Sequence, residues 1–389
     1  MNKRSVMILD GNTREALAIA RSFGRKKINV IIGGYSRLSR AFYSKYCKAY
    51  FLYPEGNDLT RDTHKTILHY VKKFKPDVLM PILNKTFSVL LQHKEEYIPH
   101  TNLIPLPDDE TFRLMEDKTQ LLKLALKNNI PSPQTFYPKN LDDLKFLSQK
   151  LSYPILIKPR ISAGGFGIRM VFSSQDLWEK YIELVNMKRI SFPDSPFDSS
   201  FPIIQEHLSG DLINFYAYSE KGAVKAFFMT KTLRGYPLMF GPGIAAVSVR
   251  NEFAKEISLK IIKLLNWNGI IGFQYILDKR DGTPKIIDSN PRFWGTVENA
   301  ILSGVDFPYM LFQKAIGKEV TCCFDYKEGR EFRWVLFGEL FYLLQSKNKI
   351  KTIADYLSFR KTHCEISLTD IKPHIIHTFS LLRNKREVR

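Results

Sequence analysis

The stretch YPILIKPRISAGGFGI, residues 153–168, decides the fold. The apolar run 155–157 predicts a short buried strand, and Lys158 stands at its end. Three glycines follow within residues 162–167. Because glycine lacks a Cβ, the backbone N–H groups of such a turn can converge on phosphate oxygens, and a lysine adds positive charge. The stretch alone is compatible with a phosphate-binding loop and with a flexible turn.

A second polar segment, residues 203–211, follows about forty residues later along the chain. Two isoleucines lead into Gln205 and Glu206, and the run ends at Gly210-Asp211. Backbone groups and carboxylates at such a bend could hold an adenine amino group and ribose hydroxyls. Taken alone, the segment favours a capped strand end.

Two apolar strands flank Asp281-Gly282 and predict a hairpin with a three-residue loop, residues 280–282. This register pairs Lys279 with Thr283. Counting back along both strands places Gln274 directly opposite Asp288.

Asn290 lies two residues beyond Asp288 and therefore shares its face of the hairpin. Together with Gln274, these side chains present oxygen ligands of the kind that Mg²⁺ prefers. Arg292 follows, where it could contact a phosphoryl group. A polar, solvated hairpin face is the alternative, but the otherwise apolar strands favour a partly enclosed one.

The first 110 residues alternate apolar strand patterns with helical ones, which predicts a doubly wound parallel sheet. Ligands bind such sheets beyond the carboxyl ends of the strands, where Gly11, Gly33, Gly34 and Asn84 would lie. The turn at residues 10–14 lacks the GxGxxG spacing of dinucleotide sites. We therefore expect this lobe to hold part of a substrate or only to support the rest.

The acidic triplet at residues 108–110 suits a helix N-terminus and predicts one helix through Met115 to Lys127. Three domains are predicted: a Rossmann-like domain at 1–110, a mixed α+β domain of two subdomains at 111–330, and a mainly helical extension at 331–389. The extension ends in a basic tail, residues 383–389.

The composition is that of a soluble globular protein: 44% of the 389 residues are apolar and 25% are charged. No apolar run reaches the length of a membrane-spanning helix, and the N-terminus predicts a strand instead of a signal peptide. The four cysteines have neither zinc spacing nor the density of a disulfide framework, which favours the cytoplasm.

The net charge of +19, from 58 basic and 39 acidic residues, attracts anions. It motivates an alternative function, a non-catalytic binder of nucleic acid or another anionic polymer. The surplus is dispersed along the chain, and a nucleic-acid groove usually needs a concentrated stripe. The sequence therefore argues against nucleic acid as a partner.

The order of these motifs over residues 1–310 resembles the ATP-grasp superfamily. The motifs are Met115-Glu116-Asp117-Lys118, the lysine before a glycine-rich loop, a Gln-Glu-x-Leu-x-Gly hinge and a terminal Asp-x-Asn-Pro-Arg. The resemblance is greatest to carboxylate–amine ligases of the carbamoyl-phosphate-synthase large-subunit type. The run at residues 290–295 also resembles a further branch of ATP-grasp ligases.

The resemblance implies an ATP-grasp fold behind a Rossmann-like domain, with ATP and Mg²⁺ as cofactors and Mn²⁺ as a further candidate. It implies roles in nucleotide binding for Lys118, Lys158, Ser162, Gly164, Gly165, Gly167, Gln205, Glu206, Leu208 and Asp211. Among these, Asp211 would contact the ribose. It implies metal binding by Gln274, Asp288 and Asn290, and catalytic roles for Lys158 and Arg292.

The implied activity is a ligase that activates a carboxylate as an acylphosphate for attack by an amine or a similar nucleophile, releasing ADP and phosphate. Its partners would be small-molecule carboxylates and amines, and homodimer formation stays open. Asp288 departs from the family pattern, which usually has glutamate at this position. With neutral Gln274 opposite, the predicted metal site carries little negative charge.

Overall fold

Five parallel strands form the N-terminal sheet, in the order β3-β2-β1-β4-β5. The computed structural model describes residues 3–54, 61–187, 201–346, 349–357 and 362–387. The strands are β1 (Ser5–Ile8), β2 (Asn29–Gly34), β3 (Cys47–Leu52), β4 (Val78–Met80) and β5 (Asn102–Leu103). The helices are α1 (Arg14–Arg25), α2 (Arg61–Phe74), α3 (Asn84–Gln92) and α4 (Lys94–Tyr97).

Alternation along β1 explains why helices cover both faces of this sheet. Val6 and Ile8 pack in the core that contains α1, whereas Met7 and Leu9 pack in the core that contains α2. The prediction of a doubly wound parallel sheet is confirmed.

The prediction of one helix through Met115 to Lys127 is wrong, because Asp117 interrupts the helical conformation. Helix α5 (Asp109–Glu116) ends there and α6 (Lys118–Lys127) begins. Asp117 is extended, its carboxylate accepts the N–H of Thr119 at 2.8 Å, and it pairs with Arg160 at 2.6 Å. This cap fixes the direction in which Lys118 leaves the backbone.

A four-stranded antiparallel sheet, in the order β6-β9-β7-β8, follows. Its elements are β6 (Thr135–Phe136), α7 (Leu141–Ser148), β7 (Ile155–Lys158), β8 (Arg169–Val171), α8 (Ser174–Asn186) and β9 (Ile203–Glu206). Ile155 and Ile157 pack against the two helices, so Leu156 and Lys158 face the opposite side.

A seven-stranded sheet in the order β14-β13-β10-β11-β12-β15-β16 faces the smaller one. Its first part comprises β10 (Gly210–Glu220), β11 (Ala223–Gly235), β12 (Gly243–Ser248), α9 (Glu252–Leu264), β13 (Gly269–Asp278) and β14 (Pro284–Asn290). Helices α10 (Val297–Ser303) and α11 (Phe307–Ala315) follow. One apolar core joins this sheet to the α1 face of the N-terminal sheet.

The final segment contributes two strands to the same sheet as well as helices. Strand β15 (Glu331–Arg333) pairs antiparallel with β12, and β16 (Thr362–Cys364) pairs parallel with β15. The helices are α12 (Leu340–Gln345), α13 (Lys349–Leu357) and α14 (Lys372–Glu387). The side chains of the predicted basic tail lie outside the described residues, and the domain limits at 110 and 330 stay a prediction.

Candidate active site

The four-stranded sheet, the seven-stranded sheet and the start of α1 enclose a cleft of about 800 Å³. Most of the predicted site residues line it: Lys118, Lys158, Gly164, Gly165, Gln205, Glu206, Leu208, Gln274, Asp288, Asn290 and Arg292. Three predicted residues, Ser162, Gly167 and Asp211, are not part of this lining. A cleft of this volume has the size of a typical small-molecule or cofactor site.

The hairpin β13–β14 places Gln274 opposite Asp288 as predicted, but through a different register. Near the turn Leu277 pairs with Pro284, one residue out of step with the predicted pairing of Lys279 and Thr283. A bulge next to Gln274 restores the predicted alignment. The prediction of a three-residue loop is therefore wrong. The backbone carbonyl of Asp278 accepts the N–H of Gly282 at 2.7 Å and closes a longer turn.

Oxygen-bearing side chains gather on the cleft face of this hairpin. Gln274 donates its amide N–H to Asn214 Oδ1 at 3.0 Å, which leaves its own carbonyl oxygen for a ligand. Asn290 Oδ1 accepts a hydrogen bond from Arg292 at 2.9 Å. With the Asp288 carboxylate, these oxygens form a donor set that fits Mg²⁺. Protein-bound Mg²⁺ is usually coordinated by one or two carboxylates together with phosphate oxygens of the substrate. Because Asp288 is the only charged member of this set, negatively charged phosphate oxygens would have to complete the coordination of the ion.

Two buried lysines from different elements line the cleft together with Asp288. Lys118 Nζ lies 3.2 Å from Asp288 Oδ1 and donates to the carbonyl of Ser162 at 3.2 Å. Lys158 Nζ donates to Gln205 Oε1 at 2.6 Å. Burial lowers the pKa of Lys158 to about 8, an effect that Asp288 opposes and Lys118 reinforces. Positive charge is thus concentrated beside Gln274, Asp288 and Asn290, where it would contact the phosphates of a bound nucleotide.

The glycine-rich loop is seated against the segment 239–243, which also lines the cleft. Gly164, Gly165 and Gly167 have φ values of 63°, 76° and 77°, a conformation that favours glycine. A Cβ at Gly165 would lie 1.8 Å from the carbonyl oxygen of Phe240. The contact requires glycine at this position, whereas Gly167 packs beside Pro159, outside the cleft lining.

Strand β9 brings its polar end to the cleft, but Asp211 is not brought there. Glu206 accepts the N–H of Gln134 at 2.8 Å and pairs with Arg280 at 3.1 Å. Asp211 pairs with Lys231 at 2.7 Å, on the face opposite to Leu212. A predicted ribose contact through Asp211 is therefore not supported by its position.

Sequence reasoning missed Arg14, Tyr216, Trp294 and Thr296, which also line the cleft. Tyr216 and Trp294 stack with ring centroids 4.1 Å apart and planes 4° from parallel. Arg14 comes from the carboxyl edge of the parallel sheet, where a ligand was expected. The glycines predicted at that edge serve packing: a Cβ at Gly33 would lie 2.5 Å from Phe51.

Two parts of the chain match models of known protein families. Residues 117–196 match the ATP-binding domain of the carbamoyl-phosphate synthase L chain. Residues 242–335 match the family described as ATP-grasp in the biosynthetic pathway with Ter operon. The carbamoyl phosphate synthase large chain of Thermoanaerobacter sp. (strain X514) is 26% identical over 227 residues, 57% of this chain. The chain spans only 20% of that relative's length.

Solved structures share the fold at low sequence identity. The biotin carboxylase domain of Hydrogenobacter thermophilus 2-oxoglutarate carboxylase is 16% identical, with a TM-score of 0.66 over 84% of this chain and 73% of that one. The L-amino acid ligase of Bacillus licheniformis is 16% identical, with a TM-score of 0.63 over 82% and 76%. The chain therefore has the ATP-grasp fold behind a parallel N-terminal sheet, and two stretches of it are similar to an ATP-grasp family and to the ATP-binding domain of the carbamoyl-phosphate synthase L chain.

Proposed function

We propose that the protein is an ATP-dependent ligase that joins a carboxylic acid to an amine or a similar nucleophile. The observation that carries the proposal is that Lys118, Lys158 and Asp288 line one cleft with two amide side chains, and that Lys118 pairs with the Asp288 carboxylate at 3.2 Å. Such a site can hold the phosphates of ATP and a metal ion next to an acid.

The chemistry starts from the poor reactivity of a carboxylate toward amines. A carboxylate oxygen attacks the γ-phosphorus of ATP, the bond to ADP breaks, and an acylphosphate results. The amine then attacks the acyl carbon, loses a proton and expels phosphate. Lys118, Lys158 and Arg292 would stabilise the charge on the phosphoryl group during transfer. The glycine-rich loop would exclude water, which would otherwise hydrolyse the acylphosphate.

Gln274, Asp288 and Asn290 are the residues that would hold Mg²⁺. The ion would supply positive charge to the phosphate oxygens. Support comes from the related biotin carboxylase domain, whose structure contains MgADP and bicarbonate. Mn²⁺ prefers similar oxygen ligands and stays a second candidate for this site.

The proposal is tested by screening mixtures of acids and amines for release of ADP and phosphate. We expect at least one pair to stimulate release, and Lys158→Ala to reduce its rate by about 10²–10³-fold without lowering the melting temperature. Stoichiometric AMP and pyrophosphate would exclude the acylphosphate route. Unchanged turnover in the Lys158→Ala variant would exclude the assigned site.

The cellular setting is part of the same proposal. We expect small-molecule partners and a cytoplasmic location; the four cysteines are all free thiols. In the part of the chain that the structure describes, no helix is both long and apolar enough to cross a bilayer. Whether two copies form a homodimer is measured by light scattering of the full chain.

A further inference from the structure

Arg14 extends from the first turn of α1 into the cleft and is held there by three separate segments. Its Nη2 donates to the carbonyl of Gly243 at 3.3 Å, and its guanidinium lies 4.2 Å from the ring centroid of Trp334. A Cβ at Gly295 would lie 2.1 Å from the same nitrogen, so Gly295 leaves the room that Arg14 occupies. These contacts fix the guanidinium without supplying negative charge.

The neighbouring charges do not neutralise Arg14. Among the described residues, no carboxylate oxygen lies within 4.0 Å of a guanidinium nitrogen of Arg14 or Arg292, the distance that defines a salt bridge. Glu15 and Glu365 attract Arg14 from farther away, and Arg292 repels it. The guanidinium is partly buried and held in place without an anionic partner, so a bound anion would stabilise this arrangement.

Trp294 adds an independent observation. Its side chain lines the cleft, is only 3% exposed, and its Nε1 is buried without a hydrogen-bond partner. Buried N–H groups are almost always paired, so an unpaired donor calls for an explanation. The indole cannot turn freely because it stacks on Tyr216. Trp294 therefore has a donor without an acceptor, and Arg14 has a positive charge without a carboxylate partner.

We propose that Arg14 and Trp294 bind an anionic group of the acid substrate other than the carboxylate that is phosphorylated. The inference rests on the proposed function, in which Lys118, Lys158 and Arg292 serve the phosphates and the reacting carboxylate. Arg14 is a further cation next to Arg292, contributed by the N-terminal lobe. The substrate class is then a dicarboxylic acid or a phosphorylated carboxylic acid.

The test compares matched acids by isothermal titration calorimetry on the full chain with Mg²⁺ and a non-hydrolysable ATP analogue. The acids with a second anionic group, called dianions below although 3-phosphoglycerate carries up to three charges, are succinate, glutarate and 3-phosphoglycerate. Their partners without that group are butyrate, pentanoate and glycerate. We expect at least one dianion to bind about 10- to 100-fold more tightly than its partner, as expected for an added charged hydrogen bond. Whether a carboxylate or a phosphate is preferred identifies the second group.

Two variants connect this preference to the proposed residues. Arg14→Met keeps the aliphatic packing and should abolish the preference, whereas Arg14→Lys should retain part of it. Trp294→Phe keeps the stacked ring, loses the N–H, and should weaken the dianion several-fold. Equal binding of dianions and their partners, no binding of any acid, or a preference that survives in Arg14→Met overturns the inference.

The nucleotide titration separates this inference from the proposed function. If the ATP analogue binds and dianions gain nothing, only the inference fails. If the analogue does not bind, the proposed function fails, and the same acid titrations without nucleotide decide whether Arg14 and Trp294 bind anions.

Discussion

Lys118 and Asp288, 170 residues apart in sequence, form an ion pair of 3.2 Å at the floor of the cleft. Lys118 is the first residue after the helix break at Asp117, and Asp288 lies next to a bulge in the last hairpin. The pair joins α6 to the β13–β14 hairpin, and a bound nucleotide and its metal ion would have to contact both of these elements.

Asp288→Asn should raise the Mg²⁺ concentration needed for turnover and lower the rate by about 10²–10³-fold. It removes the charge of the proposed metal ligand and leaves the Lys118 ammonium without its partner, which should cost about 1–3 kcal/mol of stability. Turnover against Mg²⁺ concentration and thermal melting measure the two effects.

Asp211→Asn is the matched control, because Asp211 also pairs with a lysine but on the opposite face of the sheet. Both partners are partly exposed, so the change should cost less than about 1 kcal/mol. A normal Mg²⁺ dependence in Asp288→Asn, or an equal shift in Asp211→Asn, would contradict the metal assignment.

The affinity for a Mg²⁺–ATP analogue should fall above pH 8. Burial lowers the pKa of Lys158 from 10.5 to about 8, so its charge is present below pH 8 and is lost above it. If only the ammonium form binds phosphate, the dissociation constant should rise by nearly tenfold per pH unit above this value. Titrations at several pH values measure the dependence, and Lys158→Met should eliminate the inflection.

The same shift predicts a pH dependence of stability. The unfolded chain binds a proton at Lys158 up to about pH 10.5 and the folded chain only to about pH 8. The contribution of Lys158 to the free energy of unfolding should therefore rise with pH between these values. The difference between wild type and Lys158→Met in urea unfolding reports it, and a falling contribution would contradict the lowered pKa.

Gly165→Ala should impair turnover more than stability. The residue has φ of 76°, and an added Cβ would lie 1.8 Å from the backbone of Phe240. The glycine-rich loop must therefore shift away from the segment 239–243. A displacement of about 1 Å near reacting groups can cost about 10²-fold in rate. Gly282→Ala is the control, since it has φ of 70° but no atom within 4 Å of the new Cβ. It should cost about 1–2 kcal/mol of stability and no turnover.

Arg21→Met should destabilise the protein by about 3–5 kcal/mol, because it leaves the buried carboxylate of Asp370 without its partner. Arg21 Nε lies 2.9 Å from Asp370 Oδ2, and both side chains are at most 3% exposed. The pair ties α1 to the final segment of the chain. Arg4→Met, which removes an exposed pair with Asp77, should cost less than about 1 kcal/mol in the same urea unfolding experiment.

Local sequence determined the elements and the chemistry that they carry. Alternation in β1 and β7 predicts which side chains face helices, so Lys158 could be assigned to the end of its strand from residues 155–158 alone. The hairpin around Asp281-Gly282 was also predictable, since apolar strands and a turn signal are adjacent in sequence. Its facing pair, Gln274 and Asp288, came out right although the loop is longer than predicted, because a bulge compensates for the shift.

Tertiary structure alone decided what meets in the cleft. Asp211 and Arg14 illustrate this. A motif placed Asp211 at the site, but packing puts the other face of its strand, with Leu212 and Asn214, toward the cleft; no motif marked Arg14. Arg14 reaches the cleft only because the N-terminal sheet packs on the large sheet through a shared apolar core. Such packing joins residues hundreds of positions apart, and the pattern of one strand or helix contains no information about its partner.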